Sequence, residues 1–251
     1  MGRLAALVLF GLVVAVVVLA LQAPASWVAH RISESIGGSV RVIEAEGTIW
    51  DGRGVLTSPD GRWKVPVAWH LKAAPLVRGE IEVELTPQPG LDTPRGTLRL
   101  SRTGFATQGL VLDLPATILE SAFAGRSPAT FGGDIRLDAR DLAVEGQQGS
   151  GGMTMRWERA RLVAPDGTSV SLGIVTAQFV PRDGALVGRI SNSGGEVAVA
   201  GTMTMSRTGV GLDATLAPRT GASEAVVHVL RALGPPDADG AVQLRWVSER
   251  R

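Results

Sequence analysis

Glu80-Ile81-Glu82-Val83-Glu84-Leu85 alternates carboxylate and hydrocarbon at every step. Successive side chains of a strand point to opposite faces, so Ile81, Val83 and Leu85 are expected on a buried face and the three carboxylates in water. The same period of two recurs outward along the chain. It is present in Thr97-Leu98-Arg99-Leu100, Asp134-Ile135-Arg136-Leu137-Asp138, Met153-Thr154-Met155-Arg156-Trp157, Thr202-Met203-Thr204-Met205 and Val242-Gln243-Leu244-Arg245-Trp246. One wet face and one dry face is the habit of antiparallel sheets. The punctuation agrees: Pro59-Asp60-Gly61, Pro165-Asp166-Gly167, Arg182-Asp183-Gly184 and Asn192-Ser193-Gly194 carry turn chemistry.

Two helices are expected to interrupt the strands. One follows Pro115 and is closed by Gly125; the other runs from about Ser223 to Leu233 and is stopped by Gly234 and Pro235-Pro236. Ala222, Val226, Leu230 and Leu233 would form the apolar stripe of the second, packed as a lid on the sheet. Gly96 to Gly104 matches Gly201 to Gly209 at six of nine positions. That match reads either as a duplicated meander or as the ordinary way a strand starts after a tight turn.

At the N-terminus, Leu4 to Leu21 is an apolar run interrupted only by Gly11, and no charge lies between Arg3 and Arg31. At 1.5 Å per residue such a helix spans roughly 27 Å, close to the hydrocarbon thickness of a bilayer. The expectation is therefore a transmembrane helix over 4–21 contacting phospholipid, within an anchor and juxtamembrane segment of residues 1–36. Trp27 and His30 would lie at interface depth. A cleaved signal peptide is the rival reading, since Ala23-Pro24-Ala25 offers an A-x-A site. Arg3 leans the N-terminus inward. Residues 37–251 are expected to form a mainly β domain, an antiparallel meander, curved or duplicated.

The 25 basic and 24 acidic residues give a net charge of +1, which points away from nucleic acid. The chain contains no Cys, which excludes disulfides, thiolate metal sites and a Cys nucleophile. His30, His70 and His228 are far apart and lack helical metal spacing. Gly146 to Gly152 has no Lys before Ser150, so it reads as a flexible loop and not a phosphate cradle. Asp237 and Asp239 sit in a Pro/Gly turn, where carboxylates favour local backbone bonding. The expectation is a protein with no catalytic residue, cofactor or metal.

One cluster exceeds background: Gly47-Thr48-Ile49-Trp50-Asp51-Gly52, followed by Trp63, Trp69 and Pro75-Leu76-Val77-Arg78-Gly79. Near the C-terminus stands Leu233-Gly234-Pro235-Pro236-Asp237-Ala238-Asp239-Gly240. With the N-terminal run, these segments resemble the type II secretion system protein N family (general secretion pathway protein N) over essentially the whole chain. The resemblance implies a single-pass inner-membrane subunit with its β domain in the periplasm. It also implies partners among the other inner-membrane components of that system. Gly47, Thr48, Trp50, Gly52, Trp69, Gly79, Gly234, Asp237, Asp239 and Gly240 are the motif residues, structural or partner-contacting. From the sequence, Thr48 and Trp50 are expected on one strand face with Asp51-Gly52 at a bend, and Trp50 is expected in the core. A more distant similarity to AsmA-like proteins implies an alternative, an amphiphile-binding groove on the apolar face of the sheet.

Overall fold

The computed structural model describes residues 40–88, 94–123, 129–206 and 209–249. The 4–21 run, and with it the expected anchor, lies outside the described residues, as does Gly125. No described helix is long and apolar enough to cross a membrane.

Among the described residues, fifteen strands form one antiparallel sheet. They are β1 (Arg41–Gly47), β2 (Asp51–Thr57), β3 (Lys64–Lys72), β4 (Ile81–Leu85), β5 (Arg95–Leu100), β6 (Gly104–Pro115), β7 (Thr130–Ala139), β8 (Ala143–Glu145), β9 (Gln148–Ser150), β10 (Met153–Val163), β11 (Ser169–Arg182), β12 (Ala185–Ser193), β13 (Val197–Ser206), β14 (Gly209–Pro218) and β15 (Val242–Glu249). Each strand pairs with its neighbour in sequence, except that β8 and β9 form the tip of the β7–β10 hairpin and β8 lies on β6. The expected meander is thus correct, and every alternating segment quoted above falls in a strand, save that Glu80 lies just before β4. The expected loop at Gly146–Gly152 is corrected, because Gln148–Ser150 pairs with Ala143–Glu145. The Gly96 and Gly201 segments both form a strand leading into a hairpin, β5–β6 and β13–β14.

The helices number three among the described residues, not two: α1 (Ala73–Leu76), α2 (Ile118–Phe123) and α3 (Glu224–Leu233). The four residues of α1 make a single turn, too short to leave a periodic signal. α3 has Glu224 in its first turn and Arg231 in its last, matching the helix dipole. Its buried residues are Val226, Val229 and Leu230, so the expected stripe gains Val229, while Ala222 and Leu233 are half-buried.

Register carries one apolar face across the whole ladder. Trp157 is opposite Ile135 and Val175, Ala177 opposite Ile190, and Leu216 opposite Val242. These residues belong to one buried cluster, closed by α3 lying over β11, β14 and β15. A second, smaller cluster (Trp63, Val65 and Val67) lies against Leu114 and Ile118. α2 and α3 sit where β6 and β14 end and β7, β11 and β15 begin. That end of the strands is here the lid end, and the other is the hairpin end.

The inner face is covered unequally. Around β10–β15 it is packed, with Ala177 and Val242 wholly buried, and Met153, Met155, Met203 and Met205 lie against that core. Along β3–β5 it is not: Leu71, Val83, Leu85 and Leu98 are half-buried, and at the hairpin end Ile81 is 45% exposed and Leu100 is 41% exposed. This corrects the reading of Glu80–Leu85. Alternation is present, but Ile81 is among the exposed residues and Glu82 is 6% exposed. Lys72 and Arg99 stand on either side of Glu82 in register. Their Nζ and guanidinium groups lie 2.7 Å from its carboxylate oxygens while their stems shield it from solvent.

The hydrogen bonds from Lys72 and Arg99 hold the Glu82 carboxyl below its ordinary value of 4.5. The folded state therefore prefers the ionised form, and this contribution is intact above pH 4.5 and lost as pH falls below it. Glu82→Gln is expected to lower the denaturant midpoint at pH 7 and to flatten its decline on acidification below about pH 4.5. A midpoint series against pH checks this; an unchanged slope would refute the role of the triad.

Candidate functional site

The sequence-selected residues gather in two places. The first is the β1–β2 turn. Gly47 has φ 85°, where a Cβ would also run into the Asp51 carbonyl oxygen, so a side chain is excluded on two grounds. Thr48 Oγ1 then accepts hydrogen bonds from the amides of Trp50 and Asp51, at 3.2 and 3.1 Å, and the Thr48 amide donates to Asp51 O. That is a threonine-stabilised turn. Gly52 faces Trp69 across the ladder, and a Cβ on Gly52 would lie 2.7 Å from Cε2 of the indole. The close approach seats the ring so that its Nε1 donates to Ile49 O at 3.2 Å.

Each motif position up to Gly52 thus has a local reason, apart from Trp50, whose ring is half-buried. The expectation that Thr48 and Trp50 share a strand face is corrected: Thr48, Ile49 and Trp50 are the turn itself, and Asp51-Gly52 opens β2. Turn chemistry supplied by Thr48 outweighs the alternation read from the sequence. Trp50 is likewise no core residue. Beside the turn, the Leu71 amide donates to Trp50 O at 2.6 Å, joining it to the corner formed by α1 and the turn ending at Gly79. His70 Nδ1 lies 2.6 Å from Asp51 Oδ1, both exposed.

The second place is at the lid end. Gly234 ends α3, its amide donating to Leu230 O at 3.2 Å. Asp237 Oδ1 then accepts from the amides of Asp239 and Ala241, at 3.0 and 2.8 Å, and Gly240 N donates to Asp237 O. Asp237 is therefore a turn-former that feeds the chain from α3 into β15, while Asp239 is exposed. The ladder leaves the two motif clusters apart, at opposite ends of the strands and on strands β2–β3 and β15. Among the described residues no group of three His, Cys, Asp or Glu is placed to hold a metal. His228 pairs with Asp166 at 3.0 Å, tying α3 to the β10–β11 turn.

Residues 38–245 match the family model described as type II secretion system, protein N. The chain belongs to that family. The match spans both motif clusters and runs from the residues before β1 into β15. It confirms the resemblance drawn from the two motifs and ties the chain to type II secretion. No curated protein and no solved structure matches significantly. Sequence reasoning missed the α1 corner as a surface. Leu76 and Val77 are 38% and 91% exposed there, and the signal was present in Pro75-Leu76-Val77-Arg78-Gly79, an apolar pair between a Pro and a Gly.

Proposed function

We propose that the protein is a non-enzymatic accessory subunit of the type II secretion system, held in the inner membrane by Leu4–Leu21 with its sheet in the periplasm. The family match over 38–245 carries this reading. It is supported by a motif set whose polar groups are spent on turns and by an 18-residue apolar run ahead of the sheet. Such a protein acts through surfaces that meet other inner-membrane components. The half-buried inner face of β3–β5 favours one second reading, an amphiphile held in the sheet as in AsmA-like proteins. The packed inner face of β10–β15 weighs against an acyl-chain trough along the whole sheet.

Purification from the native host in mild detergent, with proteins and lipids identified by mass spectrometry, tests the choice. Other secretion-system subunits are expected to co-purify, without stoichiometric lipid. Bound phospholipid and none of those subunits would overturn the proposal in favour of the groove. The intact mass decides the anchor, since a mature chain beginning at Ser26 would show the cleaved-signal reading to be right.

A further inference from the structure

Seven large hydrophobic side chains are exposed among the described residues, and four of them, Leu76, Val77, Ile81 and Leu100, belong to one corner at the hairpin end. Ile81 and Leu100 are directly paired on β4 and β5. The corner is a built turn: Pro75 is buried, and its carbonyl accepts the amides of Arg78 and Glu80 at 2.9 and 3.1 Å. The Gly79 amide donates to Leu76 O at 2.9 Å. Leu76 and Val77 are thus presented at the apex by fixed backbone. The Thr48–Trp50 turn is its neighbour through the Leu71–Trp50 hydrogen bond, so a half-buried indole stands at the same end. The charges around the corner are largely compensated: Lys72 and Arg99 pair with Glu82, and Arg78 lies 3.6 Å from Glu80.

An exposed aliphatic apex with compensated charges around it and an indole at the same end suits the interfacial layer of a bilayer, where hydrocarbon is buried shallowly. A bilayer is within reach if 4–21 spans it. Residues 22–39 extend to at most about 60 Å, whereas nine-residue β3, running from the lid end where β1 starts to this corner, measures about 30 Å.

We infer that the corner of Ala73–Gly79 is a second membrane contact, inserting Leu76 and Val77 into the interface of the bilayer that the N-terminal run spans. This rests on the anchored reading above. The contact would hold the hairpin end of the sheet against the lipid surface and leave the lid end turned toward partners.

The absence of cysteine makes the test clean. Full-length protein carrying Val77→Cys or Thr220→Cys, the latter exposed at the lid end, is labelled with an environment-sensitive fluorophore. It is then placed in nanodiscs of phosphatidylethanolamine and phosphatidylglycerol. At position 77 the emission is expected to shift to the blue and to be quenched by nitroxide-labelled lipid, and at position 220 neither. Leu76→Asp, a change at an exposed site, is expected to reduce the quenching at 77. A blue shift without nitroxide quenching would mean that protein covers the corner and would overturn the inference, as would no shift at all. Co-elution with disc lipid reports the anchor separately. Should the chain not incorporate, added vesicles of the same lipids give the same readout at position 77.

Discussion

Leu230→Ala is expected to lower the stability of the sheet domain by about 2–5 kcal/mol, the range for removing a fully buried Leu side chain from a packed core. Leu230 is 1% exposed, and with Val226 and Val229 it forms the surface by which α3 covers β11, β14 and β15. The cost goes beyond lost hydrocarbon burial, because a short helix crossing several strands cannot settle into the space vacated at one of them. Val227 is on the same helix but 38% exposed. Val227→Ala is therefore expected to change stability by no more than about 0.5 kcal/mol. Denaturant unfolding followed by tryptophan fluorescence reports both, since Trp157 lies in the covered core. Equal effects at the two positions would mean that α3 is not the lid described above.

Gly52→Val is expected to cost about 3 kcal/mol, the upper end for forcing extra carbon into a filled site. The new Cβ would meet the Trp69 ring and lie 2.8 Å from the Thr48 carbonyl oxygen, so both the indole and the turn must move. Breaking the Trp69–Ile49 hydrogen bond adds to the loss. Trp50→Ala, by contrast, is expected to cost less than the 3–5 kcal/mol of a core tryptophan, because its ring is only half-buried. Its effect should instead appear in the surface properties of the hairpin end. Midpoints of the two variants, measured side by side, check this. A larger loss for Trp50→Ala than for Gly52→Val would return Trp50 to the core.

How much of this was legible in the sequence differs between residues for physical reasons. Met153–Trp157 and Val242–Trp246 declared their strands and their inward faces, because nothing near them competes with a period of two. Thr48–Trp50 alternates just as well and is nevertheless a turn. Its fate is set by a hydroxyl bonding two amides and by the left-handed backbone at Gly47. Glu82 looked like any solvent-facing carboxylate. Its shielding comes from Lys72 and Arg99, ten residues before and seventeen after, a pairing that depends on register and not on local pattern. The family motifs were legible as signatures, while their separation into two distant turns became visible only with the strand order.

The neighbour-to-neighbour order of the strands has a consequence for the birth of the chain. Apart from β10, which pairs with β7 across the β8–β9 tip, each ladder along the path is made with the strand just synthesised, so the sheet can be assembled hairpin by hairpin with little loop-closure entropy at each step. The cover does not keep pace. Residues 224–233 are made only after β1–β14, yet they close hydrocarbon laid down by β11 from residue 169 onward. For that interval the nascent sheet carries a bare oily surface, the kind of intermediate that attracts chaperones or self-association. A chain released before residue 224 would keep that surface for good. Quality control acting on this protein is thus expected to see truncations before residue 224 as severe and to read the arrival of a single ten-residue helix as the covering of that surface.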